Sequence, residues 1–384
     1  MVTMNHKQLR LASQFFYYPF TMTTKLMSFL QDPPRVAIVG AGIAGAACAA
    51  GLLRAGFDVT VFDKSRAVGG RMATRRVRWI DGEGQERSVQ LDHGTPHFAA
   101  SRPRFRAVLR RAQALGLAMP WRVRVHATFP QAPLRDRWVS APDMRALCGH
   151  LLSDVPIRLE SSVTRLHRIG GRWELVLADG CTTGLFDQVI VATPAAQAAL
   201  LLAGHEDAWA TALADVPMAP CWTLMAVTDD VDWPWDAAEL QRGPLATIVR
   251  NDRKAGRHTT NGLAHWVAHA TPEWSAARLE DDPSDVCDAL RTELAKLLPL
   301  GPQSTWHHQS VHRWRYAMPQ LPVEGHGDCA WDAGIGLGVC GDAFGDGTVQ
   351  AAWCSGDELA DTIAADLDRE RPATADEPLP QAVH

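Results

Sequence analysis

The 384-residue sequence is poor in tyrosine, with three against fourteen tryptophans, and it lacks an excess of positive charge, with a formal net charge of −5. Proteins that bind nucleic acid or an anionic membrane electrostatically carry a surplus of Lys and Arg. The overall charge therefore favours neither partner. The scarcity of tyrosine leaves little material for a pocket walled by tyrosine rings, and the tryptophans fit either aromatic-lined pockets or an ordinary core.

The sequence also lacks an uninterrupted apolar run of the length that a membrane-spanning helix needs. Its N-terminal stretch LASQFFYYPF is broken by Ser13, Gln14 and Pro19, and no convincing small-residue cleavage site follows it. We therefore predict no membrane segment, and we interpret residues 1–32 as a flexible extension ahead of the first strand. A start at a methionine within that extension is an alternative.

None of the eight cysteines forms a C-x-x-C motif, and no zinc-ligand spacing is present. Scattered cysteines, such as Cys48 in an apolar helix pattern and Cys340 in an apolar strand pattern, are typical of reduced, buried thiols in a cytoplasmic protein. His307, His308 and His312 lie on a strand-like stretch where neighbouring side chains point to opposite faces. We therefore predict no metal site.

The strongest pattern in the sequence runs from residue 35 to residue 76. A short apolar run predicts a buried parallel strand, and the glycines after it have G-x-G-x-x-G spacing. The first glycine permits a tight turn, the second leaves room for a pyrophosphate, and the third lets the next helix pack on the sheet. That helix, residues 43–55, would point its N-terminus at the phosphates. The residues predicted to bind the cofactor here are Gly40, Ala41, Gly42, Ile43, Ala44 and Gly45.

An acidic residue follows at the distance that a dinucleotide-binding unit requires. Residues 58–62 predict a second strand, and Asp63 stands at its carboxyl end, about 20 residues after the glycines. A carboxylate there accepts hydrogen bonds from adenosine ribose hydroxyls, and Lys64 beside it is predicted to belong to the same site. The strand–turn–helix context disfavours a glycine-rich turn without a ligand, but this unit alone does not separate NAD from FAD.

The segment VGGRM at residues 68–72 follows this unit closely. It resembles the G-G-R extension of the large flavoprotein group that includes the amine oxidases. The resemblance implies that Gly70, Arg71 and Met72 reach the pyrophosphate and the ribityl chain of a flavin dinucleotide, and a solvated loop arginine is the alternative. An arginine there would supply countercharge that a helix end alone does not provide.

The segment DHGTPHF at residues 92–98 follows a predicted β-hairpin. Its glycine could bring the backbone to a flavin edge, so His93 and Gly94 are predicted cofactor contacts. Packing or a loop hydrogen bond is the alternative for His93 and for His97.

Ser140 is predicted to cap a helix over residues 141–152. Antiparallel strands are predicted at residues 157–167 and 172–177, and a buried strand follows them. This arrangement resembles the second half of the flavin-binding domain in the same group, where a residue at the position of Val163 meets the adenine.

The chain carries a second strand–turn–helix motif at residues 341–349, GDAFGDGTV. An aspartate at the strand end can accept a hydrogen bond from a ribityl hydroxyl, and the helix N-terminus can face the flavin edge where negative charge forms on reduction. NAD has no ribityl chain, so the motif favours FAD, and a strand and turn without a ligand is the alternative. No Cys or His stands in a flavin-attachment motif, so we predict noncovalent binding. The predicted contacts are Gly341, Asp342, Gly347, Thr348 and Val349.

These patterns predict an α/β fold in which a Rossmann-like FAD-binding domain carries an inserted α+β substrate domain, the two-domain architecture of amine-oxidase-like flavoproteins. The late motif returns the chain to the first domain, so that domain is discontinuous. We predict the FAD-binding domain at residues 33–100, 141–200 and 330–366, the substrate domain at residues 101–140 and 201–329, and a disordered tail at residues 367–384.

Several segments together resemble bacterial members of the renalase family, and the more specific ones are HATPEWS at residues 269–275 and VHRWRYAMP at residues 311–319. The resemblance implies an oxidase that transfers a hydride from 2- or 6-dihydro isomers of NAD(P)H to flavin N5 and then reduces O2 to hydrogen peroxide. The implied partners are a small dihydronicotinamide dinucleotide and O2. Such a ring becomes aromatic as it loses hydride, so no general base is needed.

Asp346 and Gln350 depart from the family pattern, which has Gly and Glu-like residues at the loop and at the helix start. A carboxylate that faced the flavin N1 would oppose the anionic reduced form. We therefore expect the Asp346 side chain to point away from the flavin.

The resemblance also suggests residues of the substrate pocket. Each has an alternative, because a lysine can be a surface cation, a tryptophan can belong to the core, and arginines on a strand can hold phosphates or face solvent. The predicted catalytic residues are Asn251, Lys254, His269, His312 and Trp314, and further candidates are Trp274, Arg313 and Arg315.

Two other functions are kept as alternatives. A flavin-dependent amine oxidase would need an aromatic cage around a neutral amine, for which the sequence has few tyrosines. A flavin-binding protein without catalysis would serve as a structural or partner-binding module.

Overall fold

The computed structural model describes residues 32–127, 136–260 and 262–370. The chain divides into two compact units, Met1–Pro34 and Arg35–His384. Of the first unit only residues 32–34 are described, and they form neither helix nor strand. The predicted extension at residues 1–32 thus lies almost wholly outside the described residues.

The described residues of the second unit form nineteen strands, eight α-helices and two short 3₁₀ helices. The strands are β1 (Arg35–Val39), β2 (Asp58–Phe62), β3 (Arg75–Ile80), β4 (Glu86–Leu91), β5 (Phe98–Ala99), β6 (Ala118–Pro120), β7 (Val125–Ala127), β8 (Arg137–Ser140), β9 (Ile157–Arg158), β10 (Val163–Ile169), β11 (Arg172–Leu177), β12 (Gln188–Val191), β13 (Met218–Asp229), β14 (Ala237–Glu239), β15 (Leu245–Arg250), β16 (Leu263–Ala270), β17 (Trp306–Pro319), β18 (Ala330–Asp332) and β19 (Leu337–Val339). The helices are α1 (Ile43–Arg54), α2 (Pro103–Ala114), α3 (Ala146–Leu151), α4 (Ala195–Leu202), α5 (Asp207–Ala214), α6 (Pro272–Ala277), α7 (Pro283–Leu297) and α8 (Val349–Glu370), with 3₁₀ turns at Asn251–Arg253 and Asp342–Phe344.

A six-stranded sheet, called here the first sheet, has the strand order β18–β19–β12–β1–β2–β9. All neighbouring strands are parallel except β18 and β19. Both faces of β1 are buried, Val36 and Ile38 against α1 and α8, Ala37 and Val39 against α4 and α5. This double cover explains why β1 is an unbroken apolar run.

Helix α8 lies very close to α1 because glycines remove side chains from the contact. A Cβ atom on Gly356 would lie 2.0 Å from the carbonyl oxygen of Ala44, and one on Gly51 would lie 2.5 Å from the Cβ of Ala360. The contact brings the last motif of the chain beside the first, although they are far apart in sequence.

The second six-stranded sheet has the order β17–β13–β16–β15–β14–β7 and is antiparallel except between β14 and β7. Its strands alternate between two apolar faces, as a period of two residues requires. Leu224 and Ala226 pack in the cluster with helix α7, whereas Met225 and Val227 pack with Leu91 at the end of the β3–β4 hairpin. This hairpin therefore packs on the face of the second sheet that is opposite to helix α7.

The predicted fold class is confirmed, but several predicted element boundaries are wrong. Helix α3 begins at Ala146, five residues after the predicted start, and Ser140 ends β8 instead of capping the helix. The reason is local, since the Asp143 carboxylate accepts the amide N–H of Arg145 and forms a turn ahead of the helix.

The strand predicted at residues 157–167 is in fact two strands, because β9 pairs with β2 whereas β10 pairs with β11. Between them the chain crosses the carboxyl end of β2, where the amide of Ser161 donates to the carbonyl of Asp63. Glu160 has a φ of 53°, which no strand residue adopts.

The domain boundaries predicted from the sequence stay a prediction. Helix α2 packs its Phe105 and Leu109 in the same core cluster as α1, whereas β7 joins the second sheet. The predicted substrate-domain segment, residues 101–140, thus contributes to the core around α1 and also to the second sheet. Helix α8 continues to Glu370, past the predicted domain end, and the predicted tail beyond it lies outside the described residues.

All eight cysteines are free thiols. Among the described residues, no helix combines the length and apolar character that crossing a bilayer requires.

Candidate functional site

A cavity of ≈ 1780 Å³ opens at the carboxyl ends of β1 and β2 and extends to β17 of the second sheet. Pockets for one small ligand are usually about 300–1000 Å³, so this cavity has room for a dinucleotide and a second molecule. Of the predicted cofactor residues, Ala41, Gly45 and Gly94 lie outside the lining. The others line it: Gly40, Gly42, Ile43, Ala44, Asp63, Lys64, Gly70, Arg71, Met72, His93, Val163, Gly341, Asp342, Gly347, Thr348 and Val349.

The three glycines of the first motif are needed for different reasons. A Cβ atom on Gly40 would lie 2.5 Å from the carbonyl oxygen of Ala192, and one on Gly45 would lie 2.0 Å from that of Gly40. These two glycines are required by the packing of the protein itself. Gly42 has a φ of −74°, and a Cβ atom on it would meet nothing within 4 Å. The open space beside Gly42 is therefore free for a ligand, as the pyrophosphate interpretation expects.

The VGGRM turn packs directly on this glycine-rich turn. The amide of Gly69 donates to the carbonyl of Ala41 at 2.9 Å, and a Cβ atom on Gly70 would lie 3.2 Å from the Cα of Gly42. Gly70 has a φ of +53°, so a side chain would be strained there as well as crowded. The two motifs thus form one continuous stretch of backbone at the cavity wall.

Arg71 connects the first two motifs to the third. Its guanidinium donates two hydrogen bonds to the Asp342 carboxylate, both at 2.6 Å, and a third to the carbonyl of Ala317 at 3.2 Å. The bidentate geometry is specific to arginine. Both side chains line the cavity, so the structure brings together the residues that the sequence places at the pyrophosphate and at the ribityl chain.

Asp63 supports the first turn as well as lining the cavity. One carboxylate oxygen accepts the amide N–H of Ala41 and the other accepts that of Ser65, each at 2.7 Å. A carboxylate has about four acceptor positions, so capacity for ribose hydroxyls is left.

Asp346 and Gln350, which depart from the family pattern in the last motif, form hydrogen bonds with other protein groups. The Asp346 carboxylate accepts hydrogen bonds from the hydroxyl of Thr348 at 2.6 Å and from its amide at 3.3 Å. Gln350 Oε1 accepts the amides of Ser101 and Arg102 ahead of α2. Neither residue belongs to the described cavity lining, which agrees with the expectation that the Asp346 side chain points away.

A stacked cluster of His93, His312 and Trp314 lies on the wall that the second sheet contributes. The rings of His93 and Trp314 stack at 5.3 Å, and His312 meets both rings edge-on at 4.8 and 4.3 Å. Burial lowers the pKa of His93 to about 3 and that of His312 to about 4. Both imidazoles are therefore neutral near pH 7. Trp314 also donates from Nε1 to the carbonyl of His93 at 3.1 Å, which fixes the cluster.

Three predicted catalytic residues, Asn251, Lys254 and His269, do not belong to the described cavity lining. They lie behind the segment at residues 90–95 and contact it from the second sheet. Lys254 donates to the Asp92 carboxylate at 3.0 Å, and both side chains are 0% exposed. Lys254 is thus not the surface cation that the alternative interpretation predicts.

Arg257 completes this buried group, donating to the Asp92 carboxylate at 2.7 Å. Burial alone would raise the pKa of Asp92, but Lys254 and Arg257 outweigh it and hold that pKa well below its usual range. Burial lowers the pKa of Lys254 to about 8 against the opposing effect of Asp92. Thr74 also donates to Asp92, at 2.6 Å.

The charged side chains on the lining are predominantly cationic. The described lining residues include nine Lys and Arg and three carboxylates, those of Asp63, Glu239 and Asp342. Six of the nine are in ion pairs, whereas Lys64, Arg75 and Arg76 have no ion pair among the described residues. Arg313 and Arg315 are also lining residues, but their guanidinium groups bind the carboxylate of Glu280, and that of Arg313 lies 5.5 Å from the ring of Trp222 in the cluster with α7. Trp274 lies elsewhere, with the Arg278 guanidinium 4.6 Å from its ring.

Sequence reasoning missed several lining residues. Arg75 stands directly after the VGGRM turn on β3, and its guanidinium lies 3.1 Å from His312 Nδ1. Among the described residues Arg75 has no carboxylate within ion-pair distance. Its position in a strand that follows a cofactor motif is a sequence feature from which Arg75 could have been predicted as a lining residue. Arg137 and its partner Glu239 carry no such signal, because β8 and β14 meet only through the tertiary fold.

In the described part of the chain, no three His, Cys, Asp or Glu side chains are grouped so that they could hold a metal ion. The three histidines of β17 have separate partners, Asp229 for His307, Ser310 for His308 and Arg75 for His312.

Comparisons with known proteins agree with this arrangement. Residues 38–112 match the model of the NAD(P)-binding Rossmann-like domain, and residues 143–364 match that of flavin containing amine oxidoreductases. Two similar solved structures are a protein described as a protoporphyrinogen oxidase from Exiguobacterium sp. 255-15, with a TM-score of 0.64, and a putrescine oxidase redesigned in its cofactor binding, with a TM-score of 0.61. Each is 14% identical, and the match covers 87% of this chain and 99% of that one. At this identity the likeness shows the fold alone. The second family match spans more than half of the sequence, and the chain therefore belongs to the flavin containing amine oxidoreductase family.

Proposed function

We propose that the chain is an FAD-dependent oxidase that converts 2- or 6-dihydro isomers of NAD(P)H to NAD(P)+ while O2 is reduced to hydrogen peroxide. The reaction balances as one hydride from the substrate and one proton from solvent delivered to O2. When bound, the flavin supplies the hydride acceptor and the route of the electrons to O2. The residues of the chain bind and orient the two dinucleotides and exclude water.

The residues present fit FAD held without a covalent bond. The open space beside Gly42 suits a pyrophosphate, and Asp342 lies on the same cavity as an acceptor for a ribityl hydroxyl. NAD has no ribityl chain and would therefore make no such contact with the third motif. No cysteine belongs to the described lining, so no thiol is available there to form a covalent bond with the flavin.

The positive charge of the lining residues is the observation that supports the proposed substrate. Arg75 and Arg137 belong to the cavity lining but lie outside the three cofactor motifs. Guanidinium groups bind phosphate oxygens well because their donors form a planar fork. A dihydronicotinamide dinucleotide brings a pyrophosphate to such a wall, whereas a protonated amine would be repelled by it.

The stacked cluster suits a ring that becomes cationic when it loses hydride. His93 and His312 are neutral near pH 7, so their imidazoles do not repel the nicotinamide ring as its positive charge develops. The face of Trp314 can attract the same charge through its ring electrons. We assign the guanidinium of Arg75, which lies 3.1 Å from His312 Nδ1, to a phosphate of the substrate.

A flavin-dependent amine oxidase is the second candidate, because the family that the chain belongs to includes such enzymes by its description. Glu239 is the lining carboxylate outside the cofactor motifs, and a carboxylate is what an ammonium group would need. That carboxylate is paired with Arg137 at 2.8 Å, which reduces its attraction for a cation. Tyr316 is the one tyrosine within the described residues, since the other two stand at positions 17 and 18.

Two assays test the proposal. Acid precipitation of the purified protein should release all of its yellow chromophore as FAD, and colour retained in the pellet would contradict noncovalent binding. Aerobic turnover of 6-dihydro-NAD should give NAD+ and hydrogen peroxide in equal amounts. A higher kcat/KM for a primary amine, with aldehyde formed, would favour the amine oxidase, and no turnover of any donor would favour the non-catalytic alternative.

A further inference from the structure

The segment at residues 90–95, called here the strap, is held in place by side chains of β16 and of the turn that follows β15. Asn251 Nδ2 donates to the carbonyl of Gln90 at 3.0 Å, and its Oδ1 accepts the amide of Asp92 at 3.3 Å. His269 Nε2 lies 2.8 Å from the carbonyl oxygen of Gly94. Because a carbonyl only accepts, this nitrogen carries the proton and donates. With Lys254 on the Asp92 side chain, the strap is fixed at three successive points.

The opposite side of the strap packs on the VGGRM turn. The amide of Thr95 donates to the carbonyl of Arg71 at 2.8 Å, and the amide of Gly94 donates to that of Ala73 at 3.3 Å. A Cβ atom on Gly94 would lie 2.0 Å from the carbonyl oxygen of Arg71, so no other residue fits this contact without displacing the turn. Any shift of the strap is therefore transmitted to the cofactor turn.

We propose that Asn251, Lys254 and His269 are positioning residues, which act on the cofactor through the strap and without touching it. They hold the strap against the turn that carries Arg71, and they hold His93 beside Trp314. This inference rests on the proposed FAD site and does not depend on which substrate the flavin oxidises. It assigns a role in cofactor binding to side chains of β16 and of the turn after β15.

A purely structural role for these side chains makes a different prediction. In that case removal of His269 would lower stability, and FAD affinity would fall only as much as it does for any equally damaging change in the sheet. His265 provides the matched control because it lies earlier on β16 and is 2% exposed. Its amide donates to the Asp252 carboxylate and its ring nitrogen Nε2 has no hydrogen-bond partner, so no hydrogen bond from Nε2 holds the strap.

The test compares His269→Phe, His269→Gln and His265→Phe with the wild type. For each, the thermal midpoint is measured, and FAD is titrated into deflavinated protein while flavin fluorescence is followed. We expect His269→Phe to weaken FAD binding by about tenfold, since it loses one hydrogen bond that fixes the strap. His269→Gln keeps a donor and should stay within about threefold of the wild type, as should His265→Phe despite its lower thermal midpoint.

Equal loss of FAD affinity in the two phenylalanine variants would overturn the proposal, as would unchanged affinity in His269→Phe. Failure of the wild type to bind FAD would instead overturn the proposed cofactor, and with it this inference. If His269→Phe does not fold, hydrogen exchange on the wild type decides the question. FAD should then slow exchange in residues 251–257 as well as in the cavity lining, and protection confined to the lining would contradict the positioning role.

Discussion

At the scale of single residues, Gly42 and Gly45 differ in what a methyl group would meet. Gly42→Ala adds its Cβ to open space on the cavity side, whereas Gly45→Ala places one 2.0 Å from the carbonyl oxygen of Gly40. We expect Gly42→Ala to keep the thermal midpoint of the apoprotein and to lose about tenfold or more in FAD affinity. Gly45→Ala should lower the midpoint itself. Thermal melts and FAD titrations check this pair, and wild-type FAD affinity in Gly42→Ala would show that no phosphate lies there.

Arg75 tests the proposed contact with substrate phosphate. A lost charge-assisted hydrogen bond is worth about 1.5–3 kcal/mol, so Arg75→Gln should lower kcat/KM for dihydro-NAD about tenfold or more. The corresponding dihydronicotinamide riboside has no phosphate, and its kcat/KM should change little. Arg78→Gln is the control, because Arg78 lies on the same strand, pairs with Glu86 and is not in the described lining. Equal losses for dinucleotide and riboside would place Arg75 at the ring rather than at the phosphate.

The sequence predicted these residues unequally, and the difference has a physical basis. The glycines, Asp63 and Arg71 follow from backbone geometry within one strand–turn–helix unit, so local spacing identifies them. Lys254 and Asn251 have no local pattern that separates a catalytic group from a support. Their position behind the strap is set by the packing of the second sheet on the β3–β4 hairpin, which no nearby residue encodes.

At the scale of elements, the strap, the following residues 96–97 and the strands β16 and β17 carry histidines that are neutral in the native state. Burial lowers the pKa of His93 and of His97 to about 3, and that of His269 and of His312 to about 4. In the unfolded chain each titrates at about 6.5, so between these values the unfolded state binds more protons. Stability is therefore fully present above about pH 6.5 and falls as the pH decreases towards 4.

We expect the thermal midpoint to fall between pH 7 and pH 5, with each such histidine costing up to about 1.4 kcal/mol per pH unit below 6.5. His93→Gln should fall less steeply over this range, because one of the proton-linked histidines is gone. His258→Gln, an exposed position, should follow the wild type. Parallel pH profiles for all three proteins would contradict a neutral buried His93.

Element boundaries were predicted well where one local signal acts and poorly where two elements compete. The sequence predicts a strand at residues 172–177, and β11 occupies Arg172–Leu177 because Gly170 and Gly171 form a turn ahead of it. The sequence predicts one strand over residues 157–167, yet this stretch serves two different sheets. That division follows from the crossing over β2, which depends on tertiary structure.

At the scale of the whole molecule, the cofactor motifs come from distant parts of the chain and meet at one cavity. A ligand that binds only the folded state raises stability by mass action, about 2.7 kcal/mol at a free concentration one hundred times its Kd. We therefore expect added FAD to raise the thermal midpoint of the deflavinated protein in a concentration-dependent manner. Arg71→Met should remove most of this increase, because it breaks the connection to Asp342 and leaves that carboxylate unpaired. An FAD-induced increase as large as that of the wild type would contradict this role for Arg71.

The central claim, that the cationic cavity serves a dihydronicotinamide dinucleotide rather than an amine, is tested most directly by anaerobic stopped-flow absorbance at the oxidised flavin band. The flavin-loaded protein is mixed in turn with 2-dihydro-NAD, 6-dihydro-NAD, ordinary 4-dihydro-NADH and a primary amine. Bleaching by at least one of the 2- and 6-dihydro isomers should be complete far sooner than bleaching by 4-dihydro-NADH or by the amine, and air should restore the colour. Faster bleaching by the amine than by either isomer would contradict the account.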